Sequence, residues 1–401
     1  MSPSAPVSRR VLLVGTASAA LANVVACRGK SLDHDGSSAE ASTARAAPTT
    51  RAGPTTVASP TATVAEVSIN SRPPTSSTST AAPTPVGYFP PADGAGEWTT
   101  ATAAEAGYTD EGLAEVVALV EAANSQSLVI LSAGSIVAEQ YWRGADASTA
   151  RDVASVQKSV VSTLVGLARD RGLLALDEPV NSFLGAGWSR AAAADEATIT
   201  VFHLLTMTSG LDPRNLRSDA PAGTVWDYNT DAYQRLRPVL EAASGLDINT
   251  LTSEWLFAPI GIGSAAPWAP RGAMTDAMGE AAWGLSLTAR EMARFGLFAM
   301  RAGRWAREQI TAVDWFEKAW TPIASKADYG YLWWLLGRGR NGQQGTIPDL
   351  VAALGAADQK IYVSPATDLV LARQGAAARA ASEAQSDFDA LLIAALSRAR
   401  T

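Results

Sequence analysis

The chain has 401 residues, of which 47% are hydrophobic, so it can bury a core of domain size. Acidic residues (39) outnumber basic residues (32), and the resulting net charge of −7 at pH 7 argues against nucleic acid as a partner. The chain has one cysteine, Cys27, which excludes an internal disulfide, and its two histidines, His34 and His203, make a typical zinc site hard to build. A Ser-His-Asp triad would depend on His203, which its surroundings predict to be a structural helix residue, and the G-x-S-x-G elbow of α/β-hydrolases is absent.

Residues 1–27 have the features of an export signal that ends at a lipidation site. An arginine pair precedes a small-sided apolar run that is too short for a comfortable membrane span, and SRRVLL from residue 8 is similar to a twin-arginine motif. VVAC, ending at Cys27, is similar to a bacterial lipobox, in which the cysteine carries the lipid. We therefore expect an extracytoplasmic protein of the bacterial cell envelope that reaches the membrane through a lipid on Cys27. An ordinary cleavable signal that happens to contain a cysteine is the alternative.

Residues 28–96 are rich in Ser, Thr, Ala and Pro and contain few large apolar side chains. This composition predicts a disordered tether. Roughly sixty residues of such chain would have an average reach of ~40–50 Å. We expect the folded domain to occupy residues 97–401.

The order of predicted elements within 97–401 indicates an α/β (α+β) domain. Strands and helices at both chain ends, with helices between them, predict one sheet built from both ends and an inserted helical lobe over about 174–300. The predicted elements outside that lobe are a helix over 110–123, a hairpin over 127–142, a helix that begins near 155, strands over 329–336, 359–363 and 369–373, and a helix over 381–399.

The stretch that begins at Ser155 carries the most specific chemical pattern. Apolar residues at helical spacing continue to about Leu167, so Ser155 and Lys158 should share one face at the start of a buried helix. A serine hydroxyl is a weak nucleophile until a base takes its proton, and a lysine can be that base if burial lowers its pKa. Taken alone, the spacing is weak evidence, since a solvated surface pair would show it too.

Five motifs together make this chain similar to the class C β-lactamase-related serine hydrolases. The motifs are SVQK from Ser155, LLTMTSGL from residue 204, WDYNT from residue 226, WGLSLTAR from residue 283 and YGYLWW from residue 329. The resemblance spans about residue 98 to the C-terminus and is nearest the branch of esterases and aminohexanoate-oligomer hydrolases. It implies a β-lactamase/transpeptidase-like fold, with an antiparallel sheet flanked by helices, a helical domain, and the active site between the two.

The resemblance implies roles for individual residues. Ser155 would be the nucleophile, Lys158 its proton acceptor and Tyr228, from the family's Tyr-x-Asn motif, the second acid or base. The third position of that motif is Thr230 here, so a hydroxyl would replace the usual amide contact to substrate. No cofactor or metal is implied.

The family's Lys-Thr-Gly motif is absent, and the corresponding strand is expected near 353–359. Its loss removes the cation that holds a substrate carboxylate and argues against β-lactamase or DD-peptidase activity. The strand should still supply an oxyanion-hole N–H beside that of Ser155, with Ala356, Ala357 and Asp358 as candidates. Of the twelve tryptophans, Trp226, Trp333 and Trp334 are predicted chiefly as packing residues that could also line the pocket.

These features predict a serine hydrolase that cleaves a small ester or amide through an acyl-enzyme on Ser155. The alternatives are a β-lactamase or DD-peptidase-like penicillin-interacting enzyme and a non-catalytic, wall-associated binding lipoprotein. The Ser, Lys and Tyr set favours catalysis, whereas the altered third motif mildly favours a receptor.

Overall fold

A computed structural model describes residues 87–263, 267–338, 346–378 and 385–401 of the chain, all within one compact unit, Pro85–Thr401. The predicted export signal, Cys27 and residues 28–86 of the predicted tether lie outside the described residues. None of the helices inside these ranges is long and apolar enough to cross a membrane.

Residues 87–96, the end of the predicted tether, belong to the folded unit. Tyr88 and Phe89 pack against the main core, and Asp93 accepts a hydrogen bond from Nε of Arg294 at 3.0 Å. The boundary predicted at residue 97 is therefore about ten residues late, because two aromatic side chains within a polar segment suffice to dock it.

The described strands form one large sheet and two small ones. The large sheet is antiparallel in the order β2-β1-β10-β9-β8, and β3, β5 and β4 form a second sheet in that order. The strands are β1 Ser125–Ser132, β2 Ser135–Tyr141, β3 Arg151–Asp152, β4 Trp268–Thr275, β5 Ala281–Leu287, β6 Arg304–Trp305, β7 Glu308–Gln309, β8 Val351–Gly355, β9 Gln359–Ser364 and β10 Leu369–Gly375.

The described helices lie before, between and after these strands. They are α1 Asp110–Ala122, α2 Gln157–Asp170, α3 Asn181–Leu184, α4 Ala193–Glu196, α5 Val201–Leu205, α6 Thr230–Tyr233, α7 Leu236–Ser244, α8 Ile248–Thr252, α9 Ala289–Met300, α10 Asp314–Ala319 and α11 Gln385–Ala399. A π-helical turn, Ser253–Phe257, continues α8.

Both faces of the large sheet are buried, because successive side chains of β1 belong alternately to two different core clusters. Val129 and Leu131 belong to the core cluster that also contains α2 and α9, whereas Leu128 and Ile130 belong to the cluster with α1 and α11. The sheet is indeed built from both chain ends, and the predicted first helix, hairpin, β9, β10 and last helix are confirmed. The predicted start of the last helix, 381–384, lies outside the described residues.

Two predicted elements differ from the structure. The interval 174–300 is helical only in part, because β4, β5 and α9 fall inside it and α9 packs on the large sheet; the helices of the inserted lobe lie within 181–257. The strand predicted over 329–336 is wrong. Leu332 has φ of +59°, which breaks the strand, and Tyr329 and Trp334 form only isolated bridges.

Candidate active site

Ser155 lies in a sharp turn between a strand and a helix. The strand β3 pairs with β5, a single 3-10 turn over Ala154–Val156 follows, and α2 then begins at Gln157. Ala154 has φ of +50°, and its N–H donates to Oδ1 of Asp152 at 2.8 Å. The turn therefore presents Ser155 just before α2 rather than on its first turn, a difference of two residues from the prediction.

Lys158 approaches Ser155 as its spacing predicts. Nζ of Lys158 lies 3.0 Å from Oγ of Ser155 and 3.3 Å from Oγ1 of Thr230. The same nitrogen lies over two aromatic rings, 4.9 Å from the ring centre of Tyr228 and 4.6 Å from that of Tyr233. Four side chains thus surround the amine within contact distance.

The environment of Lys158 favours the neutral amine. The residue is only 2% exposed, and this burial, followed by the positive charge of Arg271, lowers its pKa to about 7 although the charge of Asp231 acts in the opposite direction. A large fraction of Lys158 is therefore uncharged at neutral pH. An uncharged amine at hydrogen-bond distance can accept the proton of the Ser155 hydroxyl.

In the segment Tyr228-Asn229-Thr230, the side chains of Tyr228 and Thr230 contact the Lys158 amine, whereas Asn229 points into the core. Asn229 is buried, caps α6 by accepting from the N–H of Ala232 and donates to the carbonyl of Leu211 at 2.8 Å. The side chain next to Lys158 at the third position is therefore the Thr230 hydroxyl, and Asn229 has a structural task.

The end of β8 lies against the backbone of Ser155. A Cβ atom on Gly355 would lie 3.1 Å from the backbone nitrogen of Ser155 and 2.5 Å from the carbonyl oxygen of Val153, so only glycine permits this approach. Ala356 follows directly and is exposed, as is Ala357, which has φ of +56°.

Asp358 has a structural role through its side chain. Its carboxylate accepts from Nζ of Lys360 at 3.1 Å and from the N–H of Ala378 at 2.9 Å. The carbonyl groups of Ala357 and Asp358 both accept from Nη1 of Arg373. Of the three predicted oxyanion residues, Ala356 comes directly after the glycine that touches Ser155.

The predicted tryptophans divide into core and site residues. Trp333 is fully buried and stacks on Phe295, with ring centres 6.0 Å apart. Trp334 stacks on Tyr228 at 6.0 Å, and Trp226 lies 6.3 Å from the same ring. Trp226 and Trp334 therefore support the tyrosine that faces Lys158.

His203 has the structural role that the sequence predicts. Its Nδ1 accepts from the N–H of Thr200 at 3.1 Å in a capping box that starts α5. Within the described ranges, no group of three or more His, Cys, Asp or Glu side chains is placed to hold a metal ion.

Three residues at the site were not predicted. Tyr233 covers the second face of the Lys158 amine, Asp231 acts on it electrostatically, and Arg271 reaches the start of α2 from β4. Tyr233 and Asp231 stand within five residues of Tyr228, so a helix predicted from Asn229 would have indicated them. Arg271 lies far away in the sequence, in a strand that no motif marks.

The comparisons with known proteins identify the family. The model of the family described as Beta-lactamase matches residues 114–396. The structure is similar to a proposed 6-aminohexanoate-dimer hydrolase from Bacillus anthracis, with a TM-score of 0.60, 17% identity and coverage of 78% of this chain and 89% of that one. It is also similar to EstCE1, described as a hydrolase with promiscuous acyltransferase activity, with a TM-score of 0.56, 16% identity and coverage of 72% and 99%.

A curated relative is an uncharacterized protein from Alkalihalophilus pseudofirmus, 29% identical over 139 residues, or 32% of this chain. The match spans 40% of that relative's length. At these identities the solved structures establish the fold, which is the β-lactamase/transpeptidase-like fold expected from the motifs. Because the family model covers well over half of the chain, the protein belongs to the β-lactamase family of hydrolases.

Proposed function

We propose that the protein is a serine hydrolase that cleaves a small ester or amide through an acyl-enzyme on Ser155. One observation carries this proposal: a buried amine with a pKa of about 7 lies 3.0 Å from the serine hydroxyl. A serine and a lysine at the same spacing on an exposed surface would lack the lowered pKa, because burial is its main cause.

In the proposed reaction, Nζ of Lys158 takes the Ser155 proton while Oγ attacks the carbonyl carbon of the substrate. The tetrahedral oxyanion would receive hydrogen bonds from the N–H of Ser155 and from that of Ala356, each worth ~2.7–4 kcal/mol in such sites. The proton then passes to the leaving alcohol or amine as the C–O or C–N bond breaks. Water attacks the acyl-enzyme by the reverse sequence, which regenerates the hydroxyl.

Tyr228 is proposed as the second acid or base because its ring lies against the Lys158 amine. Tyr228→Phe retains the ring and its stacking on Trp334 but removes the phenol, so we expect kcat to fall by about 10²-fold or more with little change in thermal stability. The measurement is kcat for nitrophenyl butyrate together with a melting curve. Tyr329→Phe, which alters a fully buried neighbour of the same cluster, is the matched control, and equal losses in both variants would contradict the role of Tyr228.

The end of β8 favours esters and simple amides over β-lactams. Ala353 and Leu354, which precede the glycine that touches Ser155, are buried apolar residues and offer no cation for a substrate carboxylate. The penicillin-interacting alternative would require another anion site, and the receptor alternative would leave the lowered pKa of Lys158 without a purpose.

The test is covalent trapping of the wild-type protein. We expect a fluorophosphonate to label one serine, identified as Ser155 by mass spectrometry of the peptides, and to abolish nitrophenyl butyrate hydrolysis in proportion to labelling. Labelling of Ser155 by penicillin at low concentration would instead favour the β-lactam alternative. No labelling and no serine-dependent ester release would favour the receptor.

We further propose that the enzyme works outside the cytoplasm and is attached to the membrane through Cys27. The twin-arginine-like sequence and the lipobox-like sequence before Cys27 support this location.

A further inference from the structure

A guanidinium group that the proposed reaction does not use lies beside the start of α2. Nη2 of Arg271 donates to Oε1 of Gln157 at 2.9 Å, and the same guanidinium holds both carboxylate oxygens of Asp152, with Nε to Oδ2 at 2.6 Å and Nη2 to Oδ1 at 2.8 Å. Asp152 precedes Ser155 by three residues, and Gln157 directly precedes Lys158. Arg271 thus contacts one residue before Ser155 and one residue between Ser155 and Lys158.

The second sheet is built to let this ion pair pass over its middle strand. Arg271 lies on β4 and Asp152 on β3, and β5 runs between them. A Cβ atom on Gly284 of β5 would lie 2.7 Å from Oδ2 of Asp152 and 2.8 Å from Nε of Arg271, which is closer than carbon atoms at such positions can come. Glycine at this position is therefore what allows the guanidinium to reach Asp152.

Gln157 fixes the inner end of this arrangement. Its Oε1 also accepts from the N–H of Leu285 at 3.1 Å, and its Nε2 donates to the carbonyl of Trp283 at 3.1 Å. The amide is thereby held from both of its ends by β5. The Gln157 side chain that accepts from the guanidinium is thus itself fixed by two backbone groups of β5.

We propose that Arg271 is a positioning residue that acts through Lys158: its guanidinium, held at the start of α2 by Gln157 and Asp152, adds to burial in favouring the neutral form of Lys158. This inference rests on the proposed function, in which Lys158 must be neutral to accept a proton. Arg271 stands 113 positions after Lys158 in the sequence, and its described contacts are with Gln157 and Asp152 rather than with Ser155 or Lys158. The proposal therefore adds a residue outside the catalytic motifs that influences the protonation of Lys158.

The charges that face Lys158 come from several elements and oppose one another. Asp231 of α6 favours the ammonium, and its own carboxylate accepts from the N–H of Ala277. The amine also contacts the hydroxyls of Ser155 and Thr230 and lies over the rings of Tyr228 and Tyr233. Arg271, whose guanidinium is held next to Lys158 by Gln157, is the cation whose charge opposes that of Asp231 and, after burial, lowers the pKa of Lys158.

The guanidinium itself remains charged. Partial burial lowers its pKa, but the hydrogen bond and the charge of Asp152 outweigh burial and raise the pKa of Arg271 above its ordinary value. Its positive charge therefore persists at every pH at which Lys158 titrates.

The test is the titration of Lys158 itself. The chain has five lysines, so lysine labelled with carbon-13 at Cε gives a simple spectrum in which the Lys158→Met variant identifies the Lys158 signal. We expect the Lys158 midpoint near pH 7 in the wild type and higher in Arg271→Gln by on the order of half a pH unit or more. Arg271→Lys retains the positive charge, so its Lys158 midpoint should stay close to that of the wild type.

Arg237→Gln is the matched control, because Arg237 stacks on Trp283 of the same hairpin and pairs with Glu241 but has no described influence on Lys158. It should leave the Lys158 midpoint unchanged. In parallel, the acid limb of kcat/KM for an uncharged ester should move with the midpoint in Arg271→Gln.

Several results would overturn the inference. If the Lys158 midpoint does not move in Arg271→Gln, the charge of Arg271 has no effect on Lys158. If the midpoint rises as much in Arg271→Lys as in Arg271→Gln, the hydrogen bonds of the guanidinium are responsible and not its charge. A rise in KM for anionic esters with an unmoved midpoint would show that Arg271 binds substrate. Because the titration needs no activity, a failure of the proposed function would be seen separately, as hydrolysis that does not depend on Ser155.

Discussion

Ser155→Ala is expected to lower kcat for ester hydrolysis on the order of 10⁴-fold or more and to abolish labelling by a fluorophosphonate. The substitution removes the only atom that can form the acyl-enzyme in the proposed mechanism, and it leaves the buried amine of Lys158 without the hydroxyl whose proton it would take. The measurements are single-turnover and steady-state rates with nitrophenyl butyrate and the mass of the labelled protein.

The matched control is Ser162→Ala on the same helix. Oγ of Ser162 is buried and has no hydrogen-bond partner within the described parts of the chain, so its removal should leave activity and labelling intact and should not reduce stability. Hydrolysis and labelling that survive in Ser155→Ala would reject Ser155 as the nucleophile. Equal losses in both variants would point to a disturbed helix instead.

Lys158→Met is expected to lower kcat by about 10⁴-fold or more, because in the proposed mechanism Ser155 and Lys158 act as a unit of nucleophile and base. Methionine fills much of the space of the lysine stem between the two tyrosine rings but cannot accept a proton. The measurement is kcat at pH 8, where the wild-type amine is mostly neutral. Lys326→Met, which removes a lysine next to Trp226, is the control and should keep most of the activity.

The same variant should be more stable than the wild type at neutral and acidic pH. The folded-state pKa of Lys158 is about 7, well below the ordinary value near 10.4, so the unfolded chain binds more protons between these pH values. Wild-type stability should therefore rise with pH through that window. Lys158→Met lacks this term, so its advantage in Tm should be largest near or below pH 7 and should shrink toward pH 10. A lower Tm than the wild type at pH 7 would contradict the buried neutral amine.

The pH dependence of activity follows from the same pKa. Because Lys158 must be neutral to act as the base in the proposed mechanism, kcat/KM of the wild type should fall about tenfold per pH unit below the Lys158 pKa of about 7. The Tyr228→Phe variant should retain this acid limb at lower overall rate.

The order of elements and the Ser155 and Lys158 pair could be predicted from the sequence because both depend on local spacing. Period-two and period-3.6 patterns identify strands and helices, and two residues three positions apart on one helix must face the same way. Ser155 lies in a 3-10 turn just before α2 and not in α2 itself. Its hydroxyl is still 3.0 Å from the Lys158 amine, because residues three positions apart also lie on the same side of a 3-10 turn.

The misassigned strand over 329–336 shows where local pattern is insufficient. Its aromatic residues read as strand formers, but Leu332 takes a left-handed backbone conformation and Trp333 is drawn into the core against Phe295. The burial of large aromatic rings determines the backbone conformation of this segment. The spacing of its residues cannot predict packing against helices that are distant in the sequence.

By itself, the sequence determined that Ser155 and Lys158 lie one helical turn apart on one face, because that follows from their spacing within one element. The order of strands and helices along the chain also indicated a sheet built from both chain ends. Only the tertiary structure decided that Lys158 is buried between Tyr228 and Tyr233 and opposed by Arg271 from a distant strand. The pKa of an amine depends on which charges and how much water surround it in space, and the folded chain alone brings those groups together.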